Sequence, residues 1–315
     1  MPADRAQRPI VTLTVNPALD VSTATDRVIP GHKLRCGTTA LDPGGGGVNV
    51  SRVIQRLGGQ SIAIYAAGGP TGEAYRQLLD GEGIVSRVVR IAGSTRESFT
   101  VDERSTGEQY RFVLEGPDML EPEWRECLTA TEALIAPGGM LVISGSLPPG
   151  APDDLYAQLA RRARALEVDC VVDASGAALH HALEEGVTLI KPSLRELGEL
   201  VGERLDSPEQ QLAAAQRLVH SGRTRLVALS LGAEGAMLIT ADEVLRLASP
   251  RVEVKSTVGA GDSFLAALVL RLAQGRSIRE AFRSAVAAGS ATAMSPASDL
   301  CTRDDVERLE AELAR

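Results

Sequence analysis

The stretch Ser256-Thr257-Val258-Gly259-Ala260-Gly261-Asp262-Ser263 places three small residues directly before an aspartate. An apolar segment with helical spacing follows it, from Phe264 to Leu272. The pattern predicts a tight turn that opens a buried helix. The backbone N–H groups of 259–261 would then have no partner within the helix, and they would form an anion site with Asp262 at its mouth.

A carboxylate beside an anion site suits the transfer of a phosphoryl group to an alcohol. The charge of the donor needs fixed N–H dipoles, and the acceptor hydroxyl needs a group that takes its proton. The alternative is that Asp262 only caps a helix after a glycine turn, because aspartate is a common capping residue. This stretch by itself leaves both interpretations open.

A second glycine-rich stretch lies near the N-terminus, Pro43-Gly44-Gly45-Gly46-Gly47-Val48-Asn49-Val50. Four consecutive glycines carry no Cβ atom, so the backbone there can approach a ligand closely. A helical pattern begins directly afterwards, at Val48. A merely flexible loop is the alternative interpretation of the same residues.

Composition narrows the class of protein. A chain of 315 residues can form one large α/β domain or two small ones. Its formal net charge of −8 argues against a nucleic-acid-binding surface. No stretch approaches the ~20 apolar residues of a membrane span. Residues 1–9 are polar and lack the apolar core of a signal peptide, so we expect a short disordered tail there.

The sequence lacks the short motifs of several common metal and nucleotide sites. The four cysteines are scattered with no C-x-x-C, which indicates reduced thiols in a cytoplasmic protein rather than a metal site. The chain has no G-x-x-x-x-G-K-[ST], so it is not a P-loop enzyme. It also lacks G-x-G-x-x-G, which weakens any interpretation as a dinucleotide-binding dehydrogenase.

Short apolar runs alternate with amphipathic helical segments along the chain. The predicted strands are 10–15, 61–66, 140–143, 170–172, 188–190 and 226–229. The predicted helices are 48–57, 72–81, 123–135, 152–166, 177–185, 209–221, 262–273, 278–293 and 304–314. This alternation predicts βαβ units and a largely parallel sheet covered by helices, within a single domain spanning 1–315.

Two segments break the alternation, 20–41 and 97–114. In the second, Ser105-Thr106-Gly107 separates two strand-like runs and is typical of a β-hairpin turn. A hairpin with one apolar face leaves that face exposed, so pairing with a second copy is physically reasonable.

The two glycine-rich stretches resemble the N- and C-terminal signatures of the ribokinase-like (PfkB-type) sugar kinases. The resemblance covers the chain from about Ile10 to about Cys301, and four further matches follow the family's order: 16–20, 144–150, 190–192 and 230–232. It implies a three-layer α/β/α sandwich with a mostly parallel central sheet. It also implies a small β-sheet lid, contributed by about 20–42 and 96–116, through which a homodimer would form.

The resemblance assigns roles at the sugar side of a site. Asp262 is the expected catalytic base, and Gly259, Ala260 and Gly261 form the expected anion hole. The expected sugar-binding residues are Asp20, Gly45, Gly46, Gly47 and Asn49, together with Ser144, Arg96 and Lys33. The last two would meet a sugar phosphate, and Lys33 would reach either this site or that of a second subunit. Solvated surface charges are the alternative for both cations.

The resemblance also assigns a nucleotide side, with ATP as co-substrate and magnesium as its metal. The residues concerned are Lys191, Ser193, Ser230, Gly232, Gly235 and Thr257. Glu196 would order magnesium through water, as the last residue of the family's Asn-x-x-Glu motif. Here that motif is Ser193-Leu194-Arg195-Glu196. Serine is shorter than asparagine, so we expect weaker magnesium or ATP affinity rather than an inactive enzyme.

Many members of this family also hold a monovalent cation behind the anion hole. Ser256 and Val258 match part of that site, whereas Ala297 stands where close relatives have glycine. Pro296 restricts the backbone of the residue before it. Potassium dependence therefore stays open at this stage.

The glycine loop bears on the substrate. The 1-phosphofructokinase and tagatose-6-phosphate kinase branches usually carry lysine in it, where this chain has Gly46. The loop, together with 107–113 and 33–36, is most similar to the minor 6-phosphofructokinase branch. That similarity implies ATP-dependent phosphorylation of fructose 6-phosphate at its 1-hydroxyl. The alternatives are the two other branches and a non-catalytic sugar-phosphate sensor, which only Ser193 favours.

Overall fold

The computed structural model describes residues 7–296 and 299–315, and its largest element is a sheet of nine strands. The strands along the chain are β1 (Ile10–Thr14), β2 (Ala18–Thr25), β3 (Ala40–Gly44), β4 (Ile62–Ala67), β5 (Ser86–Arg90), β6 (Arg96–Glu103), β7 (Gln109–Val113), β8 (Met140–Ser144), β9 (Asp169–Asp173), β10 (Val187–Ile190), β11 (Thr224–Ser230), β12 (Ala236–Ile239) and β13 (Val244–Leu247). The large sheet has the order β13-β12-β11-β10-β9-β8-β1-β4-β5. It is parallel from β5 to β11, and only the β11-β12-β13 edge is antiparallel.

Helices cover both faces of this sheet. They are α1 (Gly46–Arg56), α2 (Gly69–Gly81), α3 (Glu121–Leu134), α4 (Leu155–Ala165), α5 (Gly176–Glu185), α6 (Leu194–Val201), α7 (Pro208–His220), α8 (Ala260–Ala273), α9 (Ile278–Ala293) and α10 (Arg303–Glu312). Strand residues alternate between the faces: Met140 and Val142 pack with α1, α8 and α9, whereas Leu141 and Ile143 pack with α3, α4 and α5. The predicted three-layer α/β/α architecture is confirmed.

A separate small sheet, with the order β3-β2-β6-β7, accounts for the two segments that broke the alternation. β2 and β6 are parallel, with Asp20 opposite Ser98, and β6 and β7 are antiparallel, with Thr100 opposite Arg111. Side chains on a strand alternate between faces. Asp20, Thr100 and Arg111 therefore share one face of the small sheet.

Several elements of the structure have no counterpart in the sequence prediction. Strands β5, β12 and β13 and helix α6 were not predicted. β5 is an edge strand with charged residues at Arg87 and Arg90, and such charges interrupt the apolar run that the prediction needs. β12 and β13 form a terminal antiparallel pair, in which every other residue of β13 is exposed.

The first described residues are held against the body of the protein. Arg8 donates from its backbone N–H to the Ala273 carbonyl (2.9 Å) and from Nη2 to Asp169 Oδ2 (2.6 Å). Gln7 bonds Gln60 through its side chain. The end of the predicted 1–9 tail is thus ordered, and the rest of it, 1–6, lies outside the described residues. No helix within 7–296 and 299–315 is long and apolar enough to cross a membrane.

Candidate active site

A cavity of about 370 Å³ lies between the small sheet and the carboxyl ends of the central strands. It is bounded by β2, β6 and β7 on one side, by the ends of β8 and β9 on the other, and by the starts of α1 and α8. Open parallel sheets bind ligands at this edge. The cavity brings together many of the sequence-predicted residues: Asp20, Gly45, Gly46, Asn49, Arg96, Ser144, Lys191, Glu196, Val258, Gly259 and Asp262.

The glycine run allows α1 to begin pressed against two strand ends. Gly45 caps the helix with φ 128°, a backbone conformation that a residue with a side chain rarely adopts. A Cβ atom on Gly46 would collide with Ser144 Oγ, and one on Gly47 would lie 2.6 Å from the Leu13 carbonyl oxygen. This close approach is what brings Asn49, one turn later, to the cavity wall.

Asp262 is the third residue of α8, at the end of the cavity where that helix begins. Its N-cap, Gly259, has left-handed geometry (φ 72°) and gives no side-chain cap to the first turn. Asn49 Nδ2 donates to Asp262 Oδ2 at 2.9 Å. Burial, and then the nearby Asp173 carboxylate, raise the pKa of Asp262 to about 7, against the opposing effect of the Asn49 bond. A carboxyl that titrates near neutrality can accept a proton and release it again.

The residues predicted to form the anion hole lie at the first turn of α8. Gly259 lines the cavity, and Ala260 and Gly261 follow directly behind it. The Ala260 N–H lies 3.4 Å from the Thr257 carbonyl oxygen, which is a long contact. A Cβ atom on Gly261 would lie 3.2 Å from Lys191 Nζ, so the turn and the lysine are neighbours.

An ion pair lies next to Asp262. Lys191 Nζ is 3.2 Å from Asp173 Oδ1, and the lysine is only 7% exposed. Ser144 Oγ donates to Asp173 Oδ2 at 3.4 Å. Burial raises the pKa of Asp173, although the Lys191 ammonium opposes this shift. Burial by itself would lower the pKa of Lys191. The Asp173 and Asp262 carboxylates outweigh burial, so the pKa of Lys191 is raised overall. The site thus carries a buried cation that pairs with Asp173 and is influenced by the charge of Asp262.

Asp173 was missed by the sequence analysis, although a signal for it was present. It directly follows the buried run Cys170–Val172, at the carboxyl end of β9. The same rule selected Ser144 at the end of β8. Applying it to each predicted strand would have selected Asp173.

The other end of the cavity lies under the small sheet and carries two arginines. Arg96 Nη1 donates to the Leu114 carbonyl (2.9 Å) and Nη2 to that of Asn16 (3.0 Å), while its buried Nε has no partner among the described residues. Arg111, which the sequence analysis missed, shares the cavity wall. Burial and the neighbouring Asp42 raise the pKa of Asp20 to about 6, against the attraction of the arginines.

Other predicted residues lie outside this cavity. Lys33 is exposed on the segment between β2 and β3. Ser230 is at the end of β11, where its N–H bonds the Pro192 carbonyl (3.0 Å), next to Lys191. Gly232 and Gly235 follow it, and the exposed Thr257 precedes α8. Of the predicted nucleotide-side residues, Lys191 therefore lines the cavity, whereas Ser230, Gly232, Gly235 and Thr257 lie on a strand and turns outside its wall.

Ser193 and Glu196 form a capping box at the start of α6. Glu196 Oε2 accepts from both the N–H and the Oγ of Ser193, at 2.8 Å each, and Ser193 Oγ accepts from the Glu196 N–H at 3.3 Å. Such reciprocal bonds satisfy two helix N–H groups. Ser193 thus has a structural role that the sequence analysis did not consider, and it fixes Glu196 at the cavity wall.

A family profile described as pfkB family carbohydrate kinase matches residues 13–305 of the chain. The chain belongs to this family of carbohydrate kinases. The resemblance noted from the two glycine-rich stretches is confirmed over nearly its whole predicted extent.

Similar proteins within the family are named as phosphofructokinases of two kinds. The chain is 45% identical over 305 residues to the ATP-dependent 6-phosphofructokinase isozyme 2 of Mycobacterium tuberculosis, covering 97% of this chain and 90% of the relative. It is 42% identical to the Escherichia coli protein of the same name, covering 97% and 99%. The 1-phosphofructokinase of Bacillus subtilis is 31% identical, covering 96% and 98%.

Solved structures of Escherichia coli phosphofructokinase-2 superpose closely on this chain. The complex with fructose-6-phosphate has a TM-score of 0.93 at 41% identity, and the complex with potassium has a TM-score of 0.94 at 41% identity. A tetrameric inhibited form has a TM-score of 0.93 at 41% identity. Each covers 98% of this chain and 100% of the solved one.

A carbohydrate kinase of this family uses ATP with a divalent metal, and the cavity offers oxygen donors for one. Asp173 and Glu196 both line it. Within 7–296 and 299–315 no group of three or more His, Cys, Asp or Glu residues is arranged to hold a metal ion. Magnesium is usually held by one or two carboxylates together with phosphates and waters, and Asp173 and Glu196 supply two carboxylates at this cavity.

The candidate residues for a monovalent cation are only partly described. Ser256 is buried, and its Oγ accepts from the Val258 N–H at 3.2 Å. Ala297, which the sequence analysis connected with the same site, lies outside the described residues.

Proposed function

We propose that this kinase transfers the γ-phosphoryl group of ATP to the 1-hydroxyl of fructose 6-phosphate, giving fructose 1,6-bisphosphate and ADP. The observation that carries the proposal is that one cavity holds Asp262 at one end and Arg96 and Arg111 at the other. A phosphosugar needs cations for its phosphate and a base for its reacting hydroxyl. The relatives named 6-phosphofructokinase and the fructose-6-phosphate complex of the Escherichia coli protein support this choice of sugar.

Asp262 accepts the proton of the 1-hydroxyl in this scheme. Its pKa of about 7 suits a general base that works near neutral pH. The first turn of α8, at Gly259–Gly261, and the Lys191 ammonium stabilise the negative charge of the transferring group. The small sheet acts as a lid that keeps water from competing with the hydroxyl.

The remaining sugar contacts follow from the cavity wall. Asp20 and Asn49 bind sugar hydroxyls, because carboxylate and amide groups can bridge neighbouring hydroxyls. Gly45, Gly46 and Gly47 let the α1 backbone approach the sugar, and Ser144 lies beside them.

Magnesium is the divalent metal that we propose, held by Asp173 and by Glu196 through water. When bound, it neutralises charge on the ATP phosphates. Ser193, Ser230, Gly232, Gly235 and Thr257 are the proposed nucleotide contacts. Potassium near Ser256 and Val258 is a further proposal, supported by the potassium complex of the Escherichia coli protein, and replacing K⁺ by Na⁺ in the assay tests it. A cytoplasmic location stays a prediction from the sequence.

A homodimer through the small sheet is the proposed assembly. Its outer face, opposite the cavity, exposes Leu41 (46%) and Phe112 (54%). Phe112 follows the cavity-lining Arg111 on β7, so it points to the other side. Wild-type protein should behave as a dimer by light scattering, and Phe112→Asp should give monomers. A monomeric wild type at micromolar concentration would overturn the assembly. Lys33 at a neighbouring subunit's site stays a prediction.

ADP release measured in parallel with three sugar phosphates tests the proposed reaction. With ATP and magnesium, we expect kcat/KM to be highest for fructose 6-phosphate, against fructose 1-phosphate and tagatose 6-phosphate. A preference for fructose 1-phosphate would make the chain a 1-phosphofructokinase of the same fold. The absence of turnover with all three sugars would favour the sensor function.

A further inference from the structure

Arg52 is a buried cation that the proposed mechanism does not use. It lies on α1, only 2% exposed, and it contacts three residues in two other parts of the chain. Its Nε and Nη2 donate to Glu82 Oε2 (2.8 Å) and Oε1 (2.5 Å) at the C-cap of α2. Nη1 donates to the Pro43 carbonyl (3.3 Å), and Nη2 lies 3.5 Å from Asp42 Oδ1, both on β3.

The fourth contact of Arg52 leads to the proposed base. Arg52 Nη1 donates to Asn49 Oδ1 at 3.4 Å, and Asn49 Nδ2 in turn donates to Asp262 Oδ2 at 2.9 Å. A guanidinium has only donors, so the Asn49 atom that faces it must be the oxygen. The amide NH₂ must then face Asp262. Arg52 thereby removes the usual ambiguity in the orientation of an asparagine amide.

We propose that Arg52 is a positioning residue, whose guanidinium, anchored by Glu82, holds the Asn49 amide with its NH₂ group toward Asp262. The inference rests on the proposed function, in which Asp262 is the base. Without Arg52 the amide can rotate by 180° and present its oxygen to Asp262, or it can turn away. Either change removes the donor that stabilises the carboxylate.

The direction of the effect follows from the groups around the base. The charged groups that act on Asp262 are Asp173 and Asp20, which raise its pKa, and Lys191, which lowers it. The Asn49 bond also lowers it. The groups that act on Arg52 are Glu82, Asp42 and Tyr75. Loss of Arg52 should therefore raise the pKa of Asp262 further, by about one pH unit for one hydrogen bond to the charged form.

A titration that does not depend on activity tests the proposal. The protein is labelled with ¹³C at the aspartate carboxyl carbons, and the Asp262 signal is assigned by its loss in Asp262→Asn. In Arg52→Met, we expect its titration midpoint to move upward by about one pH unit. An unchanged or lowered midpoint in a folded Arg52→Met protein would overturn the positioning role.

Two further variants separate orientation from charge and from folding. Arg52→Lys keeps the charge, but one ammonium cannot hold Glu82 and Asn49 together, so the midpoint should still rise. A midpoint that is unchanged in Arg52→Lys would assign the effect to charge and contradict the proposal. Arg56→Met, one turn further along α1, is the matched control: Arg56 bonds Leu300 and Asp299 and does not contact Asn49. Its midpoint should equal that of the wild type. If Arg52→Met fails to fold, Glu82→Gln loosens the anchor and should shift the midpoint in the same direction.

Kinetics provide a second readout. If the proposed reaction holds, the acid limb of kcat/KM for fructose 6-phosphate should move upward with the midpoint, since that limb reports the free enzyme. The deficit of Arg52→Met should then shrink at pH 9, whereas a purely structural defect would persist at every pH. The absence of turnover in the wild-type protein would refute the proposed function. The Asp262 titration would then still test the positioning role of Arg52, because it does not depend on activity.

Discussion

Replacing Asp262 with asparagine should stabilise the fold while it removes the proposed base. The substitution keeps the shape of the side chain and an oxygen that can accept the Asn49 donor. It removes a carboxylate that burial and Asp173 make costly to ionise. Functional sites often carry such a cost in stability.

The size of the effect follows from the shift in pKa. The pKa of Asp262 is about 7, against an ordinary value of 3.8. At about 1.4 kcal/mol per pH unit, ionisation of this group costs the folded state about 4 kcal/mol. The folded pKa is raised, so the full cost applies above about pH 7, declines as the pH falls from 7 towards 4, and vanishes below that. The asparagine variant should avoid most of it.

Thermal unfolding at several pH values measures this effect. In a chain of this size, a gain of about 2–4 kcal/mol corresponds to a rise of about 3–6 °C in Tm. We expect that rise at pH 8.5 and about a third of it at pH 5. Asp153→Asn, which removes an exposed carboxylate, is the control and should leave Tm unchanged. A gain that grows as the pH falls, or a lower Tm at pH 8.5, would refute the assignment of a costly buried carboxylate.

Three further perturbations test other parts of the site. Gly46→Ala forces a methyl group into Ser144 Oγ and should lower kcat/KM for fructose 6-phosphate about 100-fold. A kcat/KM within threefold of wild type would contradict the argument that α1 must lie this close to the end of β8. Arg111→Met should raise the KM for fructose 6-phosphate about tenfold with little change in kcat. A loss confined to kcat would show that this arginine does not bind the sugar phosphate. Lys191→Met leaves Asp173 unpaired and should destabilise the fold by about 3 kcal/mol at pH 8 and by less at pH 5, in urea unfolding.

The sequence predicted the layers of the fold because the central strands are short, apolar and separated by amphipathic helices. It did not predict β5, since Arg87 and Arg90 protect that exposed edge and interrupt the apolar run. It did not predict α6 either, because this helix has only eight residues and begins just after the short turn that follows β10.

The residues predicted beside the two glycine turns lie at the cavity, whereas residues that reach it through long-range contacts were not predicted. Arg52 on a helix has the sequence appearance of a solvated charge, yet it is almost fully buried by partners from α2 and β3. Arg111 on an exposed hairpin becomes a cavity residue only through its register with Thr100. The Ser193–Glu196 capping box follows from local spacing alone, because a serine three residues before a glutamate is the pattern of such a box.

The most direct test of the account is turnover by Asp262→Asn with ATP, magnesium and saturating fructose 6-phosphate, together with sugar-phosphate binding by calorimetry. We expect kcat to fall by about 10³-fold or more while the Kd for fructose 6-phosphate stays within about threefold of wild type. Turnover within tenfold of wild type would contradict the assignment of Asp262 as the base that accepts the proton of the 1-hydroxyl.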